Sequence, residues 1–92
     1  MYNISRIMKM EELFEHLNEI ISSGNLSFDQ LHQMDDQIKL LEAYYTSPFW
    51  KEDFTADNDK LLPEKLKRGV LSEDGIYLLL EKYSDLKSEL LK

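Results

Sequence analysis

The chain has no cysteine. That excludes disulfides, thiolate nucleophiles and cysteine-ligated zinc, and in a domain this small it leans towards a reducing compartment. Only two histidines are present, and neither stands near a serine in a nucleophile-elbow pattern. Glycine occurs three times and proline twice, so breaks in regular structure are few and easy to place. Long apolar runs are missing too. The longest, Ile76 to Leu80, falls far short of the roughly 20 residues a membrane span needs. The opening residues Met1 to Arg6 lack the charged-then-apolar layout of a secretory leader, so a cytoplasmic location is expected. Basic residues are outnumbered by acidic ones, 11 to 18, for a net charge of −7. Nucleic acid is a polyanion and calls for a basic face, so direct nucleic-acid binding is not expected.

What is present fits one globular domain over residues 1–92. Apolar residues make up 42% and charged residues 32% of the chain. A monomer of this size buries roughly 65% of the surface its unfolded chain exposes, enough for one modest core. Three segments carry helical periodicity. Ile7, Met10, Phe14, Leu17 and Ile21 repeat at spacings of three and four, with Glu11, Glu12, Glu15, Asn18 and Glu19 on the other face. This first helix should span about 3–23 and stop near Ser22-Ser23-Gly24-Asn25, where Gly24 can adopt the left-handed cap conformation. The second, about 27–46, opens with Ser27 as N-cap, Gln30 completing a capping box and Leu26 stapled to Leu31. Its stripe is Leu31, Met34, Ile38, Leu41 and Tyr45, with Leu40 and Tyr44 alongside. The third, about 72–91, repeats the pattern with Ser72 as N-cap, Glu73 and Asp74 at the positive end of the dipole, and the stripe Ile76, Leu79, Tyr83, Leu86 and Leu90. Gly75 in its first turn should cost about 1 kcal/mol relative to alanine.

Between the second and third helices, Ser47-Pro48 breaks the periodicity, and Pro48 suits the first position of a new short helix. Phe49, Trp50 and Phe54 would anchor it. Thr55 to Asp59 reads as loop, and Pro63 to Arg68 as one or two helical turns ended by Gly69. The stretches LEAYYTSPFWKEDF (residues 41–54) and LPEKLKRGVLSEDGIYLLL (residues 62–80) resemble the bacterial family catalogued as domain of unknown function 4298. The resemblance covers about the second half of the chain. The first helix is similar only in being acidic and amphipathic. The family implies a small bacterial, cytoplasmic, helical protein and supplies no catalytic residues.

Tyr44, Tyr45, Phe49 and Trp50, with Phe54, concentrate half of the aromatic residues in eleven positions. Such rings serve either as a satellite core under the connector or as a protein-binding surface, where Trp and Tyr dominate hot spots. Lys60, Lys65, Lys67 and Arg68 form a basic turn. It reads as a solvated feature facing the acidic first helix, since no phosphate-cradling glycine pattern accompanies it. Asp29 with His32, and Glu12, His16 and Glu19, are the nearest approach to metal-ligand spacing, but the set of a carboxylate-bridged bundle is incomplete. No metal, cofactor or catalytic residue is assigned. The expectation is an all-α fold, an antiparallel three-helix bundle with one or two short helices in the connector between helices two and three. The expected function is a non-enzymatic adaptor or regulator that binds a protein partner, as a monomer or homodimer, through Tyr44, Tyr45, Phe49, Trp50, Lys65, Lys67 and Arg68. Two alternatives stand beside it: an acidic decoy that blocks a basic site on a partner, and a self-assembling structural protein.

Overall fold

The computed structural model describes residues 2–24, 26–72 and 74–90. The order of elements is α1 (Ile4–Ser22), α2 (Phe28–Tyr45), α3 (Pro48–Asn58), a short 3-10 turn (Gly69–Leu71) and α4 (Gly75–Leu90). No strand occurs among the described residues. The three long helices α1, α2 and α4 pack on one another, and the 3-10 turn lies against α1, α3 and α4.

Each apolar stripe faces the shared core. Ile7, Phe14, Leu17 and Ile21 of α1 are buried, as are Leu31, Met34, Ile38 and Leu41 of α2 and Ile76, Leu79 and Tyr83 of α4. The connector contributes Ala56, Leu62, Val70 and Leu71 to the same cluster. On α2 the stripe ends on Tyr44, not Tyr45, which is only partly buried. Leu90 at the end of α4 is exposed.

The helix starts follow from local chemistry. Asn3 caps α1, its Oδ1 accepting the Arg6 amide at 3.1 Å. The capping box of α2 is complete: Ser27 Oγ accepts from the Gln30 amide at 3.2 Å and Gln30 Oε1 accepts from the Ser27 amide at 2.9 Å. Ser47 is the N-cap of α3 with Pro48 behind it, but its hydroxyl turns back and donates to the Tyr44 carbonyl at 2.6 Å. Gly24, past the end of α1, has φ of 76°, as its expected capping role requires. Asn25, Glu73 and Leu91 lie outside the described residues.

At the start of α4, Ser72 Oγ accepts from the Gly75 amide at 3.0 Å. Gly75 is there for space. A Cβ on it would stand 2.5 Å from Ser72 Oγ and 2.8 Å from the Gly69 carbonyl oxygen. The expected cost relative to alanine is therefore reversed at this position, because no methyl group fits between the 3-10 turn and the helix.

The connector departs from expectation. Thr55 to Asn58 are helical, not loop, because Asp53 and Ala56 at spacing three both face the interior and hold α3 down through its second half. The helix ends in a Schellman motif. The Leu61 amide donates to the Ala56 carbonyl at 2.9 Å, and the Lys60 amide to the Asp57 carbonyl at 3.0 Å. Lys60 sits in the left-handed position at φ 58° that glycine usually fills. Residues 63–68 do not form the expected helical turns. A single turn closed from the Leu66 amide to the Pro63 carbonyl leads into the 3-10 segment. Arg68 holds this stretch by bonding Asp57 at 2.6 Å and the carbonyls of Pro63 and Glu64 at 3.2 Å each. Replacing Lys60 with glycine removes a left-handed penalty without touching a side-chain contact. Lys60→Gly is expected to raise unfolding free energy by about 1 kcal/mol, read as a higher midpoint in urea at unchanged slope.

Candidate protein-interaction site

The aromatic connector is positioned by two polar junctions that periodicity alone does not reveal. The first is Asp53. It is wholly buried, yet all four of its carboxylate acceptor positions are filled. Arg6 donates from Nε to Oδ2 at 2.9 Å and from Nη2 to Oδ1 at 2.7 Å. The Tyr44 hydroxyl donates to Oδ2 at 2.6 Å, and the Asn3 amide to Oδ1 at 3.2 Å. The pair with Arg6 is the bidentate fork that a guanidinium makes with a carboxylate. It ties the first turn of α1, the last turn of α2 and the middle of α3 to one point. Hydrogen bonding to Asp53 raises the Arg6 pKa further. Burial, followed by the Asp53 bond, pushes the Tyr44 hydroxyl well above its ordinary value. The Arg6 guanidinium also lies 4.8 Å from the centre of the Phe49 ring, a cation–π contact.

The second junction is Val70 in the 3-10 turn. Its amide donates to Glu11 Oε1 at 2.8 Å, and its carbonyl accepts from Trp50 Nε1 at 3.0 Å. Glu11, expected on the polar face of α1, is buried for this reason. Burial is the main cause that raises its pKa, the Val70 bond opposes it and the neighbouring Glu15 adds to it. A third tie joins α2 to α4: the Tyr83 hydroxyl bonds the Leu31 carbonyl and Asp35 Oδ1, both at 2.9 Å, and Lys87 reaches Asp35 at 3.1 Å. Bonds from Lys87, Tyr83 and Lys39 hold the Asp35 carboxyl at about 2, while burial followed by Asp35 pushes Tyr83 to about 12.

Around these junctions the aromatic residues take separate places. Tyr44 is buried in its bond to Asp53 and presents no contact surface, so its candidacy as a partner-binding ring is corrected to a structural one. Phe49 is 53% exposed at the start of α3. Tyr45, Trp50 and Phe54 form a continuous row, with Tyr45 edge-on to Trp50 at 5.0 Å and Trp50 stacked on Phe54 at 4.9 Å. All three are half-buried, and the Trp50 bond to Val70 fixes the middle ring.

The basic turn disperses. Arg68 is engaged by Asp57, and Lys67 pairs with Glu15 of α1 at 3.5 Å, the contact expected between basic turn and acidic helix. Lys65 stays exposed beside them. Asp29 and His32 are both exposed, as are Glu12, His16 and Glu19. Among the described residues no group of three histidine or acidic side chains is placed to hold a metal ion. No helix among them is long and apolar enough to cross a membrane.

The fold and site together define a small all-helical protein whose connector is held by buried hydrogen-bonded carboxylates. The chain belongs to the family described as domain of unknown function DUF4298, whose family model matches residues 7–92. The match takes in α1 from Ile7 onward as well as the second half, where the resemblance of residues 41–54 and 62–80 lies. No curated protein and no solved structure matches the chain.

Asp53→Ala leaves Arg6 and Tyr44 facing a cavity without their acceptor. A loss of about 3–5 kcal/mol in urea unfolding is expected, against about 1.5–3 kcal/mol for Tyr44→Phe, which removes a single bond to a charged group. Glu11 supplies a pH test. Its raised pKa means that the folded protein holds this proton to higher pH than the unfolded chain. The stability it contributes is present below its ordinary 4.5 and is lost as pH rises through the folded value. Glu11→Gln keeps an acceptor for Val70 and cannot ionise. Its unfolding free energy, measured from pH 4 to 8, is expected to gain on the wild type as pH rises. A constant difference would show that Glu11 does not titrate differently on folding.

Proposed function

We propose that this chain is a non-enzymatic protein-binding module of the bacterial cytoplasm, with the Tyr45–Trp50–Phe54 row as its contact platform. The observation that carries the reading is that these half-buried rings form an ordered array, anchored through Trp50 Nε1 to the Val70 carbonyl. Rings already held in place lose little conformational freedom on binding, and Trp and Tyr are the residues that most often dominate protein contacts. The buried ionisable groups fit a non-catalytic role, since Asp53 and Glu11 are both engaged in holding the connector.

The platform rests on what we read as an up–down–up antiparallel bundle of α1, α2 and α4 within a single domain. Two sets of contacts support this. Tyr83 and Lys87, in the second half of α4, reach Leu31 and Asp35 near the start of α2. His16 and Ile20 of α1 share a cleft with Gln30 and Gln37 of α2. The decoy reading loses part of its basis, because Glu11 and Glu15 of the acidic helix are engaged by Val70 and Lys67.

The test is a pull-down from lysate of the source bacterium at high salt, with the wild type, Tyr45→Ala, Phe54→Ala and the remote α4 variant Lys82→Ala as baits. A protein held by the wild type and by Lys82→Ala is expected to bind roughly tenfold more weakly to each aromatic variant, with far-UV circular dichroism unchanged. Equal retention by the aromatic variants would rule out the platform.

A further inference from the structure

The opposite side of α3 carries a second feature. Pro48, Lys51, Thr55 and Asp59 follow one another at helical spacings of three and four, Leu61 beyond the Schellman turn extends the stripe, and the buried Ala56 lies beneath it. Together they line an open groove of about 520 Å³, with Tyr2 at one edge. Most of the surface lining it is apolar, and Leu61 is 55% exposed there. Lys51 and Asp59 lie at opposite ends of this face, about 12 Å apart along the helix. That is too far for them to pair with each other, and neither forms an ion pair among the described residues.

We propose that this groove is a two-fold interface with a second copy of the chain, in which the α3 helices of two protomers cross antiparallel at Thr55. An isologous contact requires a surface complementary to itself, so that residue i meets residue j and j meets i. With Thr55 at the axis, antiparallel pairing brings Lys51 of each copy opposite Asp59 of the other, forming two reciprocal ion pairs. It also brings Leu61 close to Pro48 of the other copy, joining the apolar ends of the stripes. Thr55 is small and exposed, and allows close approach of the helices at the centre. Glu52, the remaining charge at the rim, lies 3.9 Å from Arg6 of its own chain. The charges on this face, Lys51 against Glu52 and Asp59, sum to −1 on a chain of net charge −7, which limits the repulsion between two such chains meeting there.

The interface is separate from the Tyr45–Trp50–Phe54 row, so either can fail without the other. Sedimentation equilibrium of the purified full chain over a wide concentration range tests it directly, with circular dichroism to confirm the fold. The wild type is expected to dimerise. Lys51→Glu and Asp59→Lys, each of which sets like charges opposite one another at both ends, are expected to weaken the dimer roughly tenfold or more. The double variant Lys51→Glu/Asp59→Lys restores opposite charges with reversed sign and is expected to recover the dimer, while Phe54→Ala leaves it unchanged. A wild type that stays monomeric at every concentration overturns the proposal. A dimer indifferent to either single change, or one that the double change does not rescue, overturns the assigned face.

Discussion

Taking a carboxylate out of water costs several kcal/mol unless every acceptor position finds a donor. Asp53 meets that condition from three directions at once. Arg6 comes from α1, Tyr44 from α2 and the Asn3 amide from the chain leading into α1. None of these donors can move far without stranding the others. The site therefore sets the distance and angle between the start of α1, the end of α2 and the middle of α3 more tightly than apolar packing would. Hydrophobic contacts tolerate sliding, whereas a four-donor carboxylate does not.

The second junction extends this logic to a segment with little regular structure. A 3-10 turn of three residues has few backbone bonds of its own. Val70 is held on both of its polar groups by side chains from different helices, Glu11 and Trp50. The connector is consequently part of the core and no loose strap across it. Among the aromatic residues here, Tyr44 and Trp50 each have a polar atom with a specific partner, which fixes how deep the ring sits.

The helices were largely legible in the sequence, and the junctions were not. Periodicity placed the stripes of α1, α2 and α4, and Ser27 with Gln30 marked the second start correctly, because these signals are local. No periodic stripe gave Asp53 a place, and Glu11 looked like an ordinary charge on the polar face of α1. Their partners lie 47 and 59 residues away, and nothing local announces such a distance. A hint existed in α3, where Asp53 and Ala56 share a face opposite Thr55. The end of α3 was misplaced because the Schellman position holds Lys60 where glycine is the usual marker. Gly75 was misjudged because helix propensity carries no information about a neighbouring carbonyl. The aromatic cluster was found, but which ring would turn inward depended on where Asp53 pointed.

The long reach between Glu11 and Val70 also bears on how the protein comes off the ribosome. A chain grows from its N-terminus at about 5–20 residues per second, so roughly 3–12 s separate the synthesis of the two partners. For that interval α1 exists without α4 and without the turn that buries its glutamate. A helix left waiting with an apolar stripe is at risk of association with other nascent chains. In this chain the waiting helix carries Glu11, Glu12, Glu15 and Glu19, all free to face water until the turn arrives. The residue that later becomes a buried anchor thus serves first as part of the charge that keeps the unfinished chain apart from its neighbours.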